Sequence, residues 1–333
     1  MLQIANIEFV NSPYICSKIE ISGKMKKENG IRVEMFRMKG DVAPFVKVDY
    51  IDKYAEEHTG LMLLDSGSMG NILSNEMADG IGILCKLEDE GTIVHSIANE
   101  VMETNNVRFS FAMGGRQFHD TFCLSTNALP IKVKGMKVVG ILGIQFLKQH
   151  GLVIDYSDYS LHTSCVNPDN LSISDCDYFF PMEIGLNNYG LPVVAVIQNK
   201  KEIVALVDTG ATSNMIAEQT VNNHKFNCSR TNEKDVMMGV AGEVEVEEAI
   251  VKFNLATLTG TNIKKLSRHA NFYILPHYVF APNDEYCDTE NMQRPPIEVA
   301  IGSPFMAKQG WSLDFGAKII YRRKKKNPLR EAV

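Results

Sequence analysis

Two copies of one short phrase constrain this chain more than any other feature. "LLDSG" at 63–67 and "LVDTG" at 206–210 each join two aliphatic residues to Asp, a hydroxyl residue and Gly. A single such phrase is weak, because these residue types are enriched in turns for conformational reasons alone. The surrounding sequence repeats as well. At the offset that carries Asp65 onto Asp208, Asn71 falls on Asn214, Ile72 and Leu73 fall on Met215 and Ile216, and "IANEV" at 97–101 falls on "VAGEV" at 240–244. After one inserted residue "VRF" at 107–109 meets "VKF" at 251–253, and "HDTFCL" at 119–124 resembles "HANFYI" at 269–274. Near the end of each half, "GIQFLKQHGLVIDY" at 143–156 matches "GSPFMAKQGWSLDF" at 302–315 without a gap. The order of blocks is preserved and the period is far too long for a solenoid, so the chain holds two copies of one domain.

A length of 333 residues accommodates two domains with cores of their own. Hydrophobic residues make up 45% and charged residues 22%, which argues for a globular rather than a disordered chain. A net charge of −6 argues against a general nucleic-acid surface. The one strong basic run, "RRKKK" at 322–326, reads as a solvated tail. No stretch has the apolar length of a membrane span, and "MLQIANIEFVNSPYICSK" at the start lacks the basic lead and apolar core of a signal peptide. The seven cysteines, an odd number with no Cys-x-x-Cys pair, fit reduced thiols better than a disulfide framework or a zinc site. His119 and His269 match in the repeat, and hydrogen-bonded structural roles suit them better than ligation. The expectation is a cytoplasmic protein with no metal, no cofactor, and neither nucleic acid nor membrane as partner.

Strand signals dominate. "APFVKVDY" at 43–50 and "LPVVAVIQ" at 191–198 are β-branched runs leading toward the two Asp motifs, and "FSFAM" and "VEVEEAIVKFNL" also read as strands. Helical signals are short: "NEMADGIGI", "AEQTVNNHK", "IQFLKQH" and "PFMAKQ" each allow a turn or two. The expected organisation is an N-terminal lobe over 1–165, with 1–30 as an added hairpin that has no counterpart in the second half. A polar, turn-rich linker follows over 166–177, then a C-terminal lobe over 178–333 with the basic tail.

If the two copies face each other across a pseudo-twofold axis, Asp65 and Asp208 meet there. Two carboxyl groups that close cannot both ionise, so the pair holds one proton and titrates as a unit. A water between them faces a base on one side, while the acid on the other can protonate a carbonyl, which is metal-free hydrolysis of a peptide bond. Gly67 and Gly210 let the backbone turn tightly, and Ser66 and Thr209 can hydrogen-bond across the axis. Gly143 and Gly302, each after aliphatic residues, would let a strand pass close beneath the Asp loop.

"LLDSGS" and "LVDTGA", with "GILG" at 140–143 and "VAIG" at 299–302, resemble the catalytic loops and hydrophobic-hydrophobic-Gly motifs of the aspartic peptidases, the clan of pepsin and the retropepsins. The resemblance covers roughly residues 31–321, with copies of retropepsin-like length joined in one chain. It implies a mainly β, bilobed acid-protease fold of two pseudo-twofold-related β-barrel-like lobes with few short helices. It implies an endopeptidase acting on a peptide or protein substrate, complete in cis and so a functional monomer without cofactor. Asp65 and Asp208 become the dyad, supported by Ser66, Gly67, Ser68, Thr209, Gly210 and Ala211. Ile97, Ala98, Asn99, Val240, Ala241 and Gly242 fall where substrate-covering flaps belong. The chain departs from the pepsin pattern in having no tyrosine at either flap tip. Ser68 stands where the second copy has Ala211, and a Ser68 hydroxyl donating to Asp65 would favour its ionised form and leave the proton on Asp208. Two readings compete: structural turns in a duplicated β-domain, and a non-catalytic peptide-binding protein of this fold. Against the second, a pure binder has no need of two costly, closely paired carboxylates.

Overall fold

The computed structural model describes residues 30–38, 41–81, 92–95, 101–125, 132–164, 176–184, 190–238, 243–259, 262–279 and 296–324. Alternating apolar residues, as in "FVKVDYI" and "NVRFSFAM", set strands with one face inward. The first half runs β1 (Arg32–Phe36), β2 (Phe45–Ile51), β3 (Glu57–Leu64), β4 (Asn71–Ser74) and α1 (Asn75–Ile81). It continues through β5 (Thr92–His95), β6 (Val101–Thr104), β7 (Asn106–Met113), β8 (Arg116–Ser125) and β9 (Lys132–Val133). β10 (Met136–Leu142), α2 (Ile144–Gln149), β11 (Leu152–Asp155) and β12 (Ser160–Thr163) close it. The second half opens with β13 (Cys176–Pro181), β14 (Glu183–Ile184), β15 (Pro192–Gln198), β16 (Lys201–Asp208), β17 (Asn214–Ala217) and α3 (Glu218–His224). Then come β18 (Asn227–Met238), β19 (Glu243–Thr259), β20 (Asn262–Leu275), β21 (Val299–Gly302), α4 (Ser303–Gln309), β22 (Ser312–Asp314) and β23 (Ile319–Arg323).

Each half closes a six-stranded barrel. In the first the order is β2–β3–β10–β4–β8–β7 and back to β2, in the second β15–β16–β21–β17–β20–β19 and back to β15. The parallel pairs β3–β10 and β4–β8 recur as β16–β21 and β17–β20, so the duplication extends to strand direction. This is the mainly β, two-lobed architecture with few helices that the sequence implies. Closure removes exposed strand edges, and the interiors fill with apolar side chains such as Phe109, Phe111, Phe122 and Phe146 in one barrel and Phe253, Phe272 and Phe305 in the other. Strands expected at 43–50 and 191–198 are present, but each turns back through a hairpin, and the partners β3 and β16 deliver the two aspartates. The four helices fall on the four short helical signals.

A further sheet, β1–β12–β11–β22–β23–β13, joins the halves. At its centre Ile154 pairs with Leu313, flanked by Val153 with Asp314 and Asp155 with Ser312. In the sequence repeat Ile154 and Leu313 are equivalent, as are Val153 with Ser312 and Asp155 with Asp314. Exchanging the halves therefore maps this register onto itself, which fixes a pseudo-twofold axis between Ile154 and Leu313. Two expected boundaries shift. Of the linker over 166–177, residues 176–177 already belong to β13, while 166–175 lie outside the described residues. Of the basic run, Arg322 and Arg323 end β23 instead of trailing in solvent, 3.6 Å from Asp177 and Asp155 respectively. The expected hairpin over 1–30 lies, but for Gly30, outside the described residues.

Asp155 is fully buried in the joining sheet. Burial pushes its carboxyl up, but the nearby His162 ring, two hydrogen bonds from Ser157 and the Arg323 charge outweigh this and hold it at about 2. The Ser157 hydroxyl and N–H make the direct contacts, at 2.6 and 2.9 Å, whereas His162 Nε2 stands 3.8 Å away, beyond hydrogen-bond range, and acts only as a more distant attraction. A folded value below the unfolded one contributes stability above the unfolded value of 3.8, lost as pH falls through about 2. The Asp155→Asn variant is expected to be less stable than wild type by about 1–2 kcal/mol at pH 6. In urea titrations this gap should narrow below pH 3; a gap unchanged down to pH 2 would contradict the assignment.

Candidate active site

Both Asp loops leave the barrels at the axis. The aliphatic pairs before them, Leu63–Leu64 and Leu206–Val207, are buried and hold the loops to the cores. Ser66 and Thr209 then lock the loops to each other by four mirrored hydrogen bonds. Ser66 N–H donates to Thr209 Oγ1 at 2.9 Å and Thr209 N–H to Ser66 Oγ at 3.0 Å. The Ser66 hydroxyl donates to the Val207 carbonyl at 2.6 Å and the Thr209 hydroxyl to the Leu64 carbonyl at 2.7 Å. Val207 and Leu64 are themselves equivalent in the repeat, so the grip obeys the same twofold as the joining sheet. All four partners are buried, where an unmade hydrogen bond is costly.

This grip brings the carboxyls of Asp65 and Asp208 close together, each lying against the glycine of the opposite loop. Gly67 and Gly210 explain how close they come. Neither adopts a left-handed conformation, so the tight turn expected of them is not what requires glycine. A Cβ at Gly67 would lie 2.5 Å from the Asp208 carboxyl carbon, and one at Gly210 would lie 2.4 Å from that of Asp65. Each carboxyl occupies the space that a side chain on the opposite loop would fill. Gly210→Ala must therefore push Asp65 aside, with an expected cost of roughly 1–3 kcal/mol in urea unfolding. A variant as stable as wild type would contradict the crossed packing.

Backbone donors hold one oxygen of each carboxyl. Asp65 Oδ1 accepts N–H groups of Gly67 and Ser68 at 2.8 and 3.2 Å, and Asp208 Oδ1 those of Gly210 and Ala211, both at 3.0 Å. The expected Ser68 hydroxyl bond to Asp65 is not formed: that hydroxyl donates to the Gly70 carbonyl at 2.8 Å. Ser68 reaches Asp65 through its N–H, as Ala211 reaches Asp208. Burial raises Asp208 well above the ordinary carboxylate value, and the Asp65 charge adds to the rise. Burial raises Asp65 too, opposed by its hydrogen bond from Asp208 and by the Gly67 and Ser68 N–H groups. Each residue keeps part of its surface open to solvent, which moderates the rise without cancelling it. Two raised carboxyls this close favour one proton shared between them.

Beneath the loops, the repeat supplies two residues that chemistry-led reading passes over. Asn71 Oδ1 accepts the Gly143 N–H at 3.0 Å, and Asn214 Oδ1 the Gly302 N–H at 2.9 Å. Their amide groups donate onward to the Thr121 and Asn271 carbonyls, at 3.1 and 2.8 Å. Each asparagine ties a loop to the strand running under it, and their coincidence in the repeat was the available signal. Gly143 and Gly302 do lie under the loops: a Cβ there would come 2.3 Å from the Gly70 carbonyl oxygen and 2.4 Å from that of Ser213. His119 Nδ1 lies 2.7 Å from the Ser110 hydroxyl on the exposed face of the β7–β8 hairpin.

The expected flap residues Ile97, Ala98, Asn99, Val240, Ala241 and Gly242 lie outside the described residues. The strands on either side of them are described. β5 pairs antiparallel with β6 from Thr92↔Thr104 to His95↔Val101, and β18 with β19 as far as Met238↔Glu243. Among the described residues no helix is long and apolar enough to cross a membrane. Scanned against models of known protein families and against characterised proteins, the sequence matches none.

Proposed function

We propose that the chain is an aspartic endopeptidase whose two halves supply one carboxyl each to a single site. The observation that carries this reading is the crossed packing of Asp65 and Asp208 over Gly210 and Gly67, within a buried grip that obeys a twofold axis. Two like charges brought this close are costly, and their proximity is most simply understood as a means of sharing a proton. In the reaction, the ionised carboxylate takes a proton from a water as it attacks the scissile carbonyl. The protonated partner donates to the carbonyl oxygen, giving a tetrahedral intermediate. The proton gained from water then passes to the amide nitrogen while the other carboxylate takes one back from a hydroxyl of the intermediate. The C–N bond breaks, a carboxylic acid and an amine leave, and the dyad holds one proton throughout. No group of the protein becomes covalently attached to substrate.

The substrate in this reading is an extended segment of peptide or protein, held by backbone hydrogen bonds to the expected flaps, with apolar pockets giving preference. Because both halves come from one chain, the enzyme acts as a monomer. An odd cysteine count without Cys-x-x-Cys pairs supports a reducing, cytoplasmic setting. The test is incubation with a peptide library across pH, read by mass spectrometry. Internal cleavage by wild type and none by Asp65→Asn supports the proposal; absence of cleavage by wild type at every pH overturns it. Tight binding of pepstatin without turnover would favour instead the peptide-binding protein of the same fold.

A further inference from the structure

The mirrored hydrogen bonds would make the two aspartates equivalent, yet one buried chain of donors reaches only one of their loops. Ser303 opens α4 directly after Gly302, and its hydroxyl donates to the Thr209 carbonyl at 2.5 Å. The Tyr156 hydroxyl lies 2.7 Å from Ser303 Oγ. A carbonyl oxygen only accepts, so the single Ser303 proton is committed to Thr209, and Tyr156 must be the donor to Ser303. The Thr209 carbonyl shares its peptide unit with the Gly210 N–H, which donates to Asp208 Oδ1 at 3.0 Å. Every dipole from Tyr156 to Asp208 therefore points the same way, positive end toward the carboxylate. Ser303 and Thr209 are fully buried and Tyr156 almost so, which gives such a chain its strength.

Among the described residues the first half has no counterpart. Ile144 occupies the place of Ser303 in the repeat and Phe315 the place of Tyr156, so neither hydroxyl is matched. The chain also crosses the halves, because Tyr156 follows β11 while Ser303 and Thr209 belong to the second copy. We propose that Tyr156 and Ser303 are positioning residues that break the symmetry of the site, strengthening the Gly210 donor and so stabilising negative charge on the aspartate pair that this N–H faces. The inference rests on the dyad reading for its catalytic meaning, though the relay itself is a property of the fold.

The groups facing this chain do not substitute for it. Asp65 is the charged group facing Asp208 among the described residues, and Tyr159 and Asp41 are the further titratable groups around Tyr156. Burial raises the Tyr156 hydroxyl well above its ordinary value, against the pull of its bond to Ser303, so it stays a donor wherever the carboxyls titrate. Stabilising the charged form lowers the pH at which the last proton leaves the dyad. Removing the relay must do the opposite.

The experiment is a pH titration of the aspartate carboxyl carbons by NMR in full-length protein labelled with ¹³C-aspartate, assigned with the Asp65→Asn and Asp208→Asn variants. In Ser303→Ala the upper titration of the dyad is expected to rise by roughly half a pH unit, with less change in the lower one. Tyr156→Phe keeps the ring and its packing, and should move the upper titration the same way by less. The double variant should match Ser303→Ala, because the links act in series. An upper titration that stays or falls in both single variants overturns the relay, as does a double variant whose shift is the sum of the two. No substrate is needed for these readings. A shifted titration in a protein that cuts no peptide would sink the hydrolase and leave the relay; an unshifted one in an active enzyme would do the reverse. Where peptide is cleaved, the alkaline limb of kcat should move with the upper titration.

Discussion

Asp208→Asn is expected to lower kcat for peptide hydrolysis by at least about 10³-fold, with the fold intact. Asparagine has the shape of aspartate, and its amide oxygen can still accept the Gly210 and Ala211 N–H groups that Asp208 Oδ1 accepts. Nothing in the grip between Ser66 and Thr209 depends on the side chain at 208. What the substitution removes is the exchangeable proton: an amide can neither give it to the carbonyl oxygen nor take it back. Stability should be unchanged or higher, because a buried pair of acids has been replaced by one acid and a neutral partner. Asp65→Asn should be as damaging for the complementary reason, loss of the base, and the double variant no worse than either alone. Turnover within tenfold of wild type in either single variant would remove the dyad from the chemistry.

Thr209→Val is expected to be among the most destabilising single changes in the chain, although the two residues have nearly the same shape. The valine leaves Ser66 N–H without its 2.9 Å acceptor and the Leu64 carbonyl without its 2.7 Å donor. Both orphaned groups are buried, at about 1–3 kcal/mol each, so the expected loss is roughly 2–6 kcal/mol in urea unfolding. Thr209→Ser keeps the hydroxyl and gives the second loop the residue that the first already has at Ser66. It should cost only about 1 kcal/mol, for one buried methyl. Equal losses in the two variants would mean that packing, not hydrogen bonding, holds the loops together. Because the loops also seat the carboxyls, Thr209→Val should lose hydrolytic activity before it loses its secondary structure.

Much of this architecture was legible because it is written twice. A repeat that aligns Asp65 with Asp208, Asn71 with Asn214 and Gly143 with Gly302 already implies that each loop is built the same way. The equivalence of Ile154 and Leu313 then becomes the axis itself. Local patterning found four of the strands, β2, β7, β15 and β19, and the four helices among the described residues, but it could not show that β2 and β15 turn back before the aspartates are reached. The roles of individual side chains were less legible. Gly67 and Gly210 look like turn glycines in sequence, and only the other loop's carboxyl, far away in the chain, reveals why a side chain is excluded. Ser68 beside Asp65 suggested a hydroxyl bond, but the hydroxyl donates to the Gly70 carbonyl instead. Tyr156 and Ser303 carry no signal in the repeat, because Phe315 and Ile144 stand at their equivalent positions and the two matter where the copies differ.

The pH dependence of kcat/KM for a cleaved peptide tests the central claim most directly. With both carboxyls protonated there is no base, and with both ionised there is no acid, so activity requires the state with one proton. The prediction is a bell with two limbs, the falling one well above the ordinary carboxylate range because burial and the Asp65 charge raise Asp208. A profile that rises through a single limb and stays flat into alkaline pH would contradict the shared proton, and with it the account of this site.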